Sequence, residues 1–137
     1  MTVYKLENKY FSDPANEISK CFLIGFFDSM KIINSVISNY KQLPGFCDHI
    51  KDFIVTEYTV QSRTKYVYHV VHEYYLEEEN LDMVTEIGVF YSKKAAQESI
   101  FELRKNNDEL CRIDDSGFDI AKHRINDSYW GEGYTPW

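Results

Sequence analysis

The sequence predicts an α+β fold: tandem duplicated β-β-α-β units that share one core, with two helices packed on a mixed sheet and a pseudo-twofold axis relating the halves. Three correspondences predict it. Val3-Tyr4-Lys5-Leu6-Glu7-Asn8-Lys9-Tyr10-Phe11 is answered by Val67-Tyr68-His69-Val70-Val71-His72-Glu73-Tyr74-Tyr75, and Ile24-Gly25-Phe26-Phe27-Asp28-Ser29 by Ile87-Gly88-Val89-Phe90-Tyr91-Ser92. Phe53-Ile54-Val55 is answered in turn by Phe118-Asp119-Ile120, and the offset stays between 63 and 65 residues throughout. Drift that small belongs in connecting loops. At 137 residues the chain fits a single domain, 1–137, built of repeats 1–62 and 63–137, because a half of this length would bury only a marginal core by itself.

Each element has a local reason. Val3–Phe11 and Lys20–Phe27 read as a hairpin whose loop is marked by Ser12, Asp13, Pro14 and Asn16. Gly25 inside the second strand predicts a bulge or a close backbone approach, and Gly88 repeats it. Ser29 and Ser92 are suited to cap helices, since a serine hydroxyl accepts from a free amide of the first turn. Ile33, Ile37 and Tyr40, matched by Ala96, Ile100 and Leu103, form the i, i+4, i+7 stripe of a core-facing helix. Leu43-Pro44-Gly45-Phe46 ends the first helix. In the second half Tyr66–Leu76 alternates like a strand, the acidic run Glu77–Asn80 turns the chain, and Met83–Phe90 returns. The closing strands put Phe53 with Val55, and Phe118 with Ile120, on one face. A helix between two strands implies a right-handed parallel crossover, hence a mixed sheet.

Charge narrows the partners. The net charge of −7 argues against nucleic acid, whose binding needs Lys and Arg to neutralise phosphates. A basic protein is the natural counterpart, because complementary potentials raise the association rate. The acidic groups that could meet one are Glu77, Glu78, Glu79, Asp82 and Glu86, with Asp114 and Asp115 in a second cluster. The 11 Tyr, 9 Phe and 2 Trp are an aromatic surplus of which part is expected at the surface. Cys21, Cys47 and Cys111 form neither a CxxC motif nor an even disulfide set, which predicts a reducing, cytoplasmic location. No charged-then-apolar leader and no long apolar run calls for a membrane.

Catalytic signatures are missing from the pattern. His69 and His72 stand three apart on a strand and face opposite sides, so no metal site is expected. His123 matches Tyr58, and His72 matches Asn8, as polar residues with hydrogen-bond partners. Asp114-Asp115 read as turn chemistry, Cys21 as a buried small hydrophobe, and neither Cys47 nor Cys111 carries a nucleophile's signature. Phosphate-cradling glycine loops are absent. No cofactor and no enzymatic activity are expected. The C-terminal segment crowds Tyr129, Trp130, Tyr134 and Trp137 among Gly131, Gly133 and Pro136. Either it clasps the fold or it offers aromatic anchors, chiefly Trp130 and Tyr134, to a partner.

These residues carry a resemblance. Ile87-Gly88-Val89-Phe90-Tyr91-Ser92, Ala95-Ala96, Gly117-Phe118-Asp119-Ile120, Trp130-Gly131-Glu132-Gly133-Tyr134 and, in the first half, Pro44-Gly45-Phe46-Cys47-Asp48 resemble the motifs of a small bacterial domain family of unknown function. In size, acidity and style the chain also resembles the immunity proteins of bacterial polymorphic toxin systems, contact-dependent inhibition among them. That resemblance implies stoichiometric inhibition of a cognate basic toxin, such as a nuclease, by a monomer or weak homodimer. The alternative is a ligand-sensing or regulatory module with a pocket between the repeats.

Overall fold

The computed structural model describes residues 1–11, 19–76, 81–106 and 117–135, without the side chains of 74–76, 81–83 and 106. Its elements are β1 (Thr2–Phe11), β2 (Ser19–Phe27), α1 (Met30–Tyr40), a 3-10 turn (Phe46–Asp48), β3 (Phe53–Thr59), β4 (Tyr66–Leu76), β5 (Leu81–Phe90), α2 (Lys93–Asn106) and β6 (Phe118–Arg124). They form two compact units, Met1–Thr59 with Arg124–Trp137, and Val60–His123.

The first unit is a three-stranded sheet in the order β2-β1-β3, with β1 antiparallel to both neighbours. The second repeats that pattern as β5-β4-β6, again antiparallel. This corrects the mixed sheet expected from the sequence. β2 and β3 do run the same way with α1 between them, but β1 lies in the middle, so the crossover skips a strand and no parallel pair hydrogen-bonds. The hairpin leaves one edge of β1 open, and β3 fills it with the slightly stronger antiparallel pairing.

Both glycines sit at bulges. The β1–β2 ladder shifts between Leu6 and Glu7, opposite Gly25 and Leu23, so Ile24 is the extra residue. The β4–β5 ladder shifts between Val70 and Val71, opposite Gly88 and Glu86, with Ile87 extra. In each case an aromatic ring lies over the glycine: a Cβ would stand 3.1 Å from Cζ of Phe27 at Gly25, and 3.1 Å from Cζ of Phe90 at Gly88.

Both serines cap as expected. Ser29 Oγ accepts from the Lys31 amide at 3.2 Å, and Ser92 Oγ from the Ala95 amide at 3.0 Å. Ile33 and Tyr40 of α1 are buried and Ile37 is packed against the same core. Among the described side chains of α2 only Ala96 is fully buried, while Ile100 and Leu103 are half-buried. After α1 the chain turns through Gly45, at φ +81°, and drives Phe46 into the core. The glycine is required twice over, since the Tyr134 ring occupies the space of a Cβ. On β3 Phe53 reaches the core, with its ring 6.1 Å from that of Phe46. Val55, two residues further along this edge strand, is exposed.

The residues after β6 were assigned by the sequence to the second repeat, yet they pack with the first unit. Asn126 N donates to Phe26 O at 2.8 Å, Tyr129 N to Ile24 O at 2.7 Å, and Tyr134 N to Pro44 O at 2.9 Å. They thereby occupy the outer edge of β2, a backbone edge that would otherwise be open to other chains. The core of this unit is Leu6, Phe22, Ile24, Phe27, Ile33, Tyr40, Phe46 and Tyr134. Cys21 is another correction: it is exposed, because alternation along β2 turns its neighbour Phe22 into this core and leaves Cys21 on the opposite face.

Candidate functional site

Of the acidic residues singled out by the sequence, Glu77, Glu78, Glu79, Asp114 and Asp115 lie outside the described residues. Asp82 belongs to β5, where it pairs with Tyr75. Glu86 has a defined environment: its Oε2 is 2.9 Å from His69 Nε2. The His69 ring in turn lies 6.3 Å from that of His123. Three neighbouring strands therefore bring one carboxylate and two imidazoles together on one face of the second sheet. Burial, and secondarily the proximity of His69, holds the imidazole of His123 below its ordinary pKa. The matching positions in the first unit hold Lys5 and Tyr58, the ammonium standing 5.8 Å from the ring centroid. Among the described residues no group of three His, Cys, Asp or Glu side chains converges as metal ligands.

The other face of β4 holds His72, which is fully buried with its ring 4.4 Å from that of Phe118. Gly117 lies so near that a Cβ there would be 2.9 Å from His72 Nε2. Its counterpart Asn8 is also fully buried, and its Nδ2 donates to His49 O at 3.0 Å. These are interior polar residues in both units.

Aromatic residues separate into core and surface. Tyr134, proposed from the sequence as a partner contact, is only 7% exposed. Its ring stacks on Phe22 at 3.9 Å and meets Phe46 edge-on at 4.8 Å, while its hydroxyl donates to Tyr10 Oη at 3.2 Å. It is a clasp. The backbone hydrogen bonds that seat the tail on β2 explain why: they bring residue 134 over the open side of the core. Trp130 is 44% exposed, adopts φ +63°, and sets one edge against Phe22 at 5.0 Å. It keeps a surface for contact that Tyr134 lacks. Trp137 lies outside the described residues.

Reading the sequence missed Phe101. It is 66% exposed, the highest exposure among the large apolar side chains described. Two shallow hollows meet at its ring. One, of about 400 Å³, is lined by Gln97, Ile100, Phe101, Arg104, Phe118 and Ile120, between α2 and β6. The other, of about 350 Å³, lies along α2 at Lys94, Gln97, Glu98 and Glu102. The available signal was its place one residue off the Ala96–Ile100–Leu103 stripe, where a soluble helix normally carries a polar side chain.

A polar cluster in the first unit was also missed. The rings of Tyr10 and His49 stack with centroids 3.4 Å apart, and His49 Nδ1 lies 3.1 Å from Asp52 Oδ2. The i, i+3 spacing of His49 and Asp52 closes the turn before β3, which accounts for the pair structurally. Cys21 Sγ donates to Glu7 Oε2 at 3.1 Å. Partial desolvation of the sulfur, then the carboxylate, pushes this thiol up to about 11, which makes it a poor nucleophile. Cys47 is exposed, and Cys111 lies outside the described residues. Among the described residues no helix is long and apolar enough to cross a membrane. No family model, curated protein or solved structure matches the chain.

Proposed function

We propose that this chain is an immunity protein: a stoichiometric inhibitor that binds a basic toxin domain in the bacterial cytoplasm and covers the surface the toxin needs. The observation that carries this reading is the distribution of charge. The second unit holds 13 of the 22 acidic residues against 8 basic ones, so most of the net −7 is concentrated there. Such a field attracts a basic protein and raises its association rate. The exposed Phe101 and Trp130 support the same reading, since large aromatic side chains are the usual anchors of protein interfaces. An odd number of cysteines supports a reducing compartment.

Co-purification from the native host tests the proposal, and the expected result is one basic protein at one-to-one stoichiometry. With that partner in hand, reversing the charges of Glu77, Glu78, Glu79 and Asp82 should slow association, by less as salt rises. Equal rates at both salts would sink the electrostatic part of the proposal.

We infer further that the scaffold arose by duplication of one β-β-α-β unit. Two identical strand orders, two bulges opposite Gly25 and Gly88, two rings laid over those glycines and two serine caps support it. Duplication accounts for a fold repeated in detail while charge and exposed aromatics differ between the copies.

A further inference from the structure

We propose that the outer edge of β3 pairs with the same edge of a second copy of this chain, antiparallel across a twofold axis at Ile54, so that two three-stranded sheets become one. Such a dimer needs no toxin and stands apart from the inhibitor reading.

β3 has β1 on one side only. The Lys9 amide donates to Asp52 O at 3.1 Å, which makes these two a hydrogen-bonded pair of the β1–β3 ladder, and in an antiparallel ladder every second pair exchanges such bonds. Ile54, Thr56 and Tyr58 therefore turn their amides and carbonyls toward β1, and those of Phe53, Val55, Glu57 and Thr59 point outward. Among the described residues no backbone group bonds to this outward row. The side chains are open as well, Ile54 being 41% and Val55 36% exposed. A row of outward amides and carbonyls suits one kind of ligand, an extended backbone.

The remaining edges are guarded. The tail covers β2, a bulge at Ile87 interrupts β5, and β6 carries exposed Lys122 and Arg124. By contrast β3 runs Phe-Ile-Val-Thr-Glu-Tyr-Thr without bulge, proline or lysine, and Glu57 is its one charge.

A second copy is the occupant because this edge is complementary to itself. An axis at Ile54 sets Ile54 against Ile54, Phe53 against Val55, and Lys51, in the turn before the strand, against Glu57 of the other copy. Exposed apolar side chains then meet apolar ones, and the symmetry makes the ion pair twice. Neighbouring registers match worse: an axis at Val55 puts Phe53 opposite Glu57, and one at Thr56 puts Val55 there. Lys51 and Glu57 are both exposed, and neither forms an ion pair among the described residues. With 9 acidic residues against 7 basic, the first unit adds little like-charge repulsion.

The test follows the full chain by sedimentation equilibrium up to about 1 mM, with amide exchange measured at both ends of the concentration range. The expected result is a reversible dimer, with protection that rises with concentration at the Phe53 and Val55 amides and not at the Thr59 amide. Val55→Pro removes only an outward amide, and Ile54→Lys sets two ammonium groups face to face at the axis. Each should weaken the dimer about tenfold or more. Lys51→Glu alone and Glu57→Lys alone should weaken it too, and the double exchange should restore it. These surface variants keep the test decisive if Val55→Pro fails to fold. A chain that stays monomeric throughout, a dimer indifferent to Ile54→Lys, or a double exchange that restores nothing overturns the proposal. Edge amides protected only after a basic partner protein is added would assign the edge to that partner and overturn it as well.

Discussion

The ring of Tyr134 lies nearly parallel to that of Phe22, with centroids 3.9 Å apart, and closes the core of the first unit from a point 112 residues further along the chain. Tyr134→Ala should therefore cost about 3–5 kcal/mol in urea unfolding, as for other large aromatic-to-alanine changes in a core. Tyr134→Phe keeps the stack and loses only the hydroxyl bond to Tyr10, so it should cost about 1 kcal/mol. A loss below about 1 kcal/mol for the alanine variant would mean that the tail is not a clasp.

The two strand glycines should respond unequally to alanine. At Gly25 a methyl group collides with the backbone oxygen of Asp127, which can retreat only if the tail lifts off β2. At Gly88 the nearest atoms belong to the Phe90 ring, at 3.1 and 3.2 Å, and a side chain can shift by a few tenths of an ångström. Gly25→Ala is expected to cost about 2–3 kcal/mol and Gly88→Ala about 1 kcal/mol or less, by the usual range for overpacking. Thermal melts of both variants compare them directly, and the reverse order would contradict this account of the bulges.

Large-to-small changes on the helices should grade with burial. Ile33 is fully buried, so Ile33→Ala should cost about 2–5 kcal/mol. Ile100, matched by sequence to Ile37 and expected in the core, lines the open hollow instead. Ile100→Ala should cost about half as much, because less apolar surface returns to water. Equal losses in denaturant unfolding would show the hollow to be closed in solution.

Acid should weaken the protein through His123. Its folded pKa is depressed by burial and by His69, so below the ordinary value of about 6.5 the unfolded chain takes up a proton that the folded chain resists. The contribution is fully present above that pH and is lost as pH falls toward the folded pKa. His123→Gln should flatten the dependence of stability on pH below about 6.5, while a slope unchanged from the wild type would show that another group is responsible. Tyr134 acts at the alkaline end. Burial and the bond to Tyr10 raise its pKa, so stability present below about pH 10 is lost as the unfolded phenol ionises above it.

Much of the local structure was legible because it depends on local chemistry. Period-two alternation marked β1 and β4, Ser29 and Ser92 marked helix starts, and Gly25 with Gly88 marked bulges. Strand order was not legible, since nothing in β2-α1-β3 says whether the crossover lands beside β2 or one strand further on. The destination of residues 124–137 was equally hidden, because backbone pairing with Ile24 and Phe26 leaves no trace in residue type. That pairing then decided the fate of Tyr134, which composition alone could not separate from Trp130. Phe101 escaped notice for the opposite reason: a single apolar residue beside a helical stripe reads as part of it until its exposure is known.

The most direct test of the proposed inhibition is to titrate the product of any neighbouring gene that encodes a basic toxin with the purified protein, reading the toxin's activity. Stoichiometric inhibition predicts a linear fall to zero at one equivalent, with Trp130→Ala and Phe101→Ser requiring more protein to reach the same end point. Full toxin activity in the presence of a large excess of the protein would contradict the central claim.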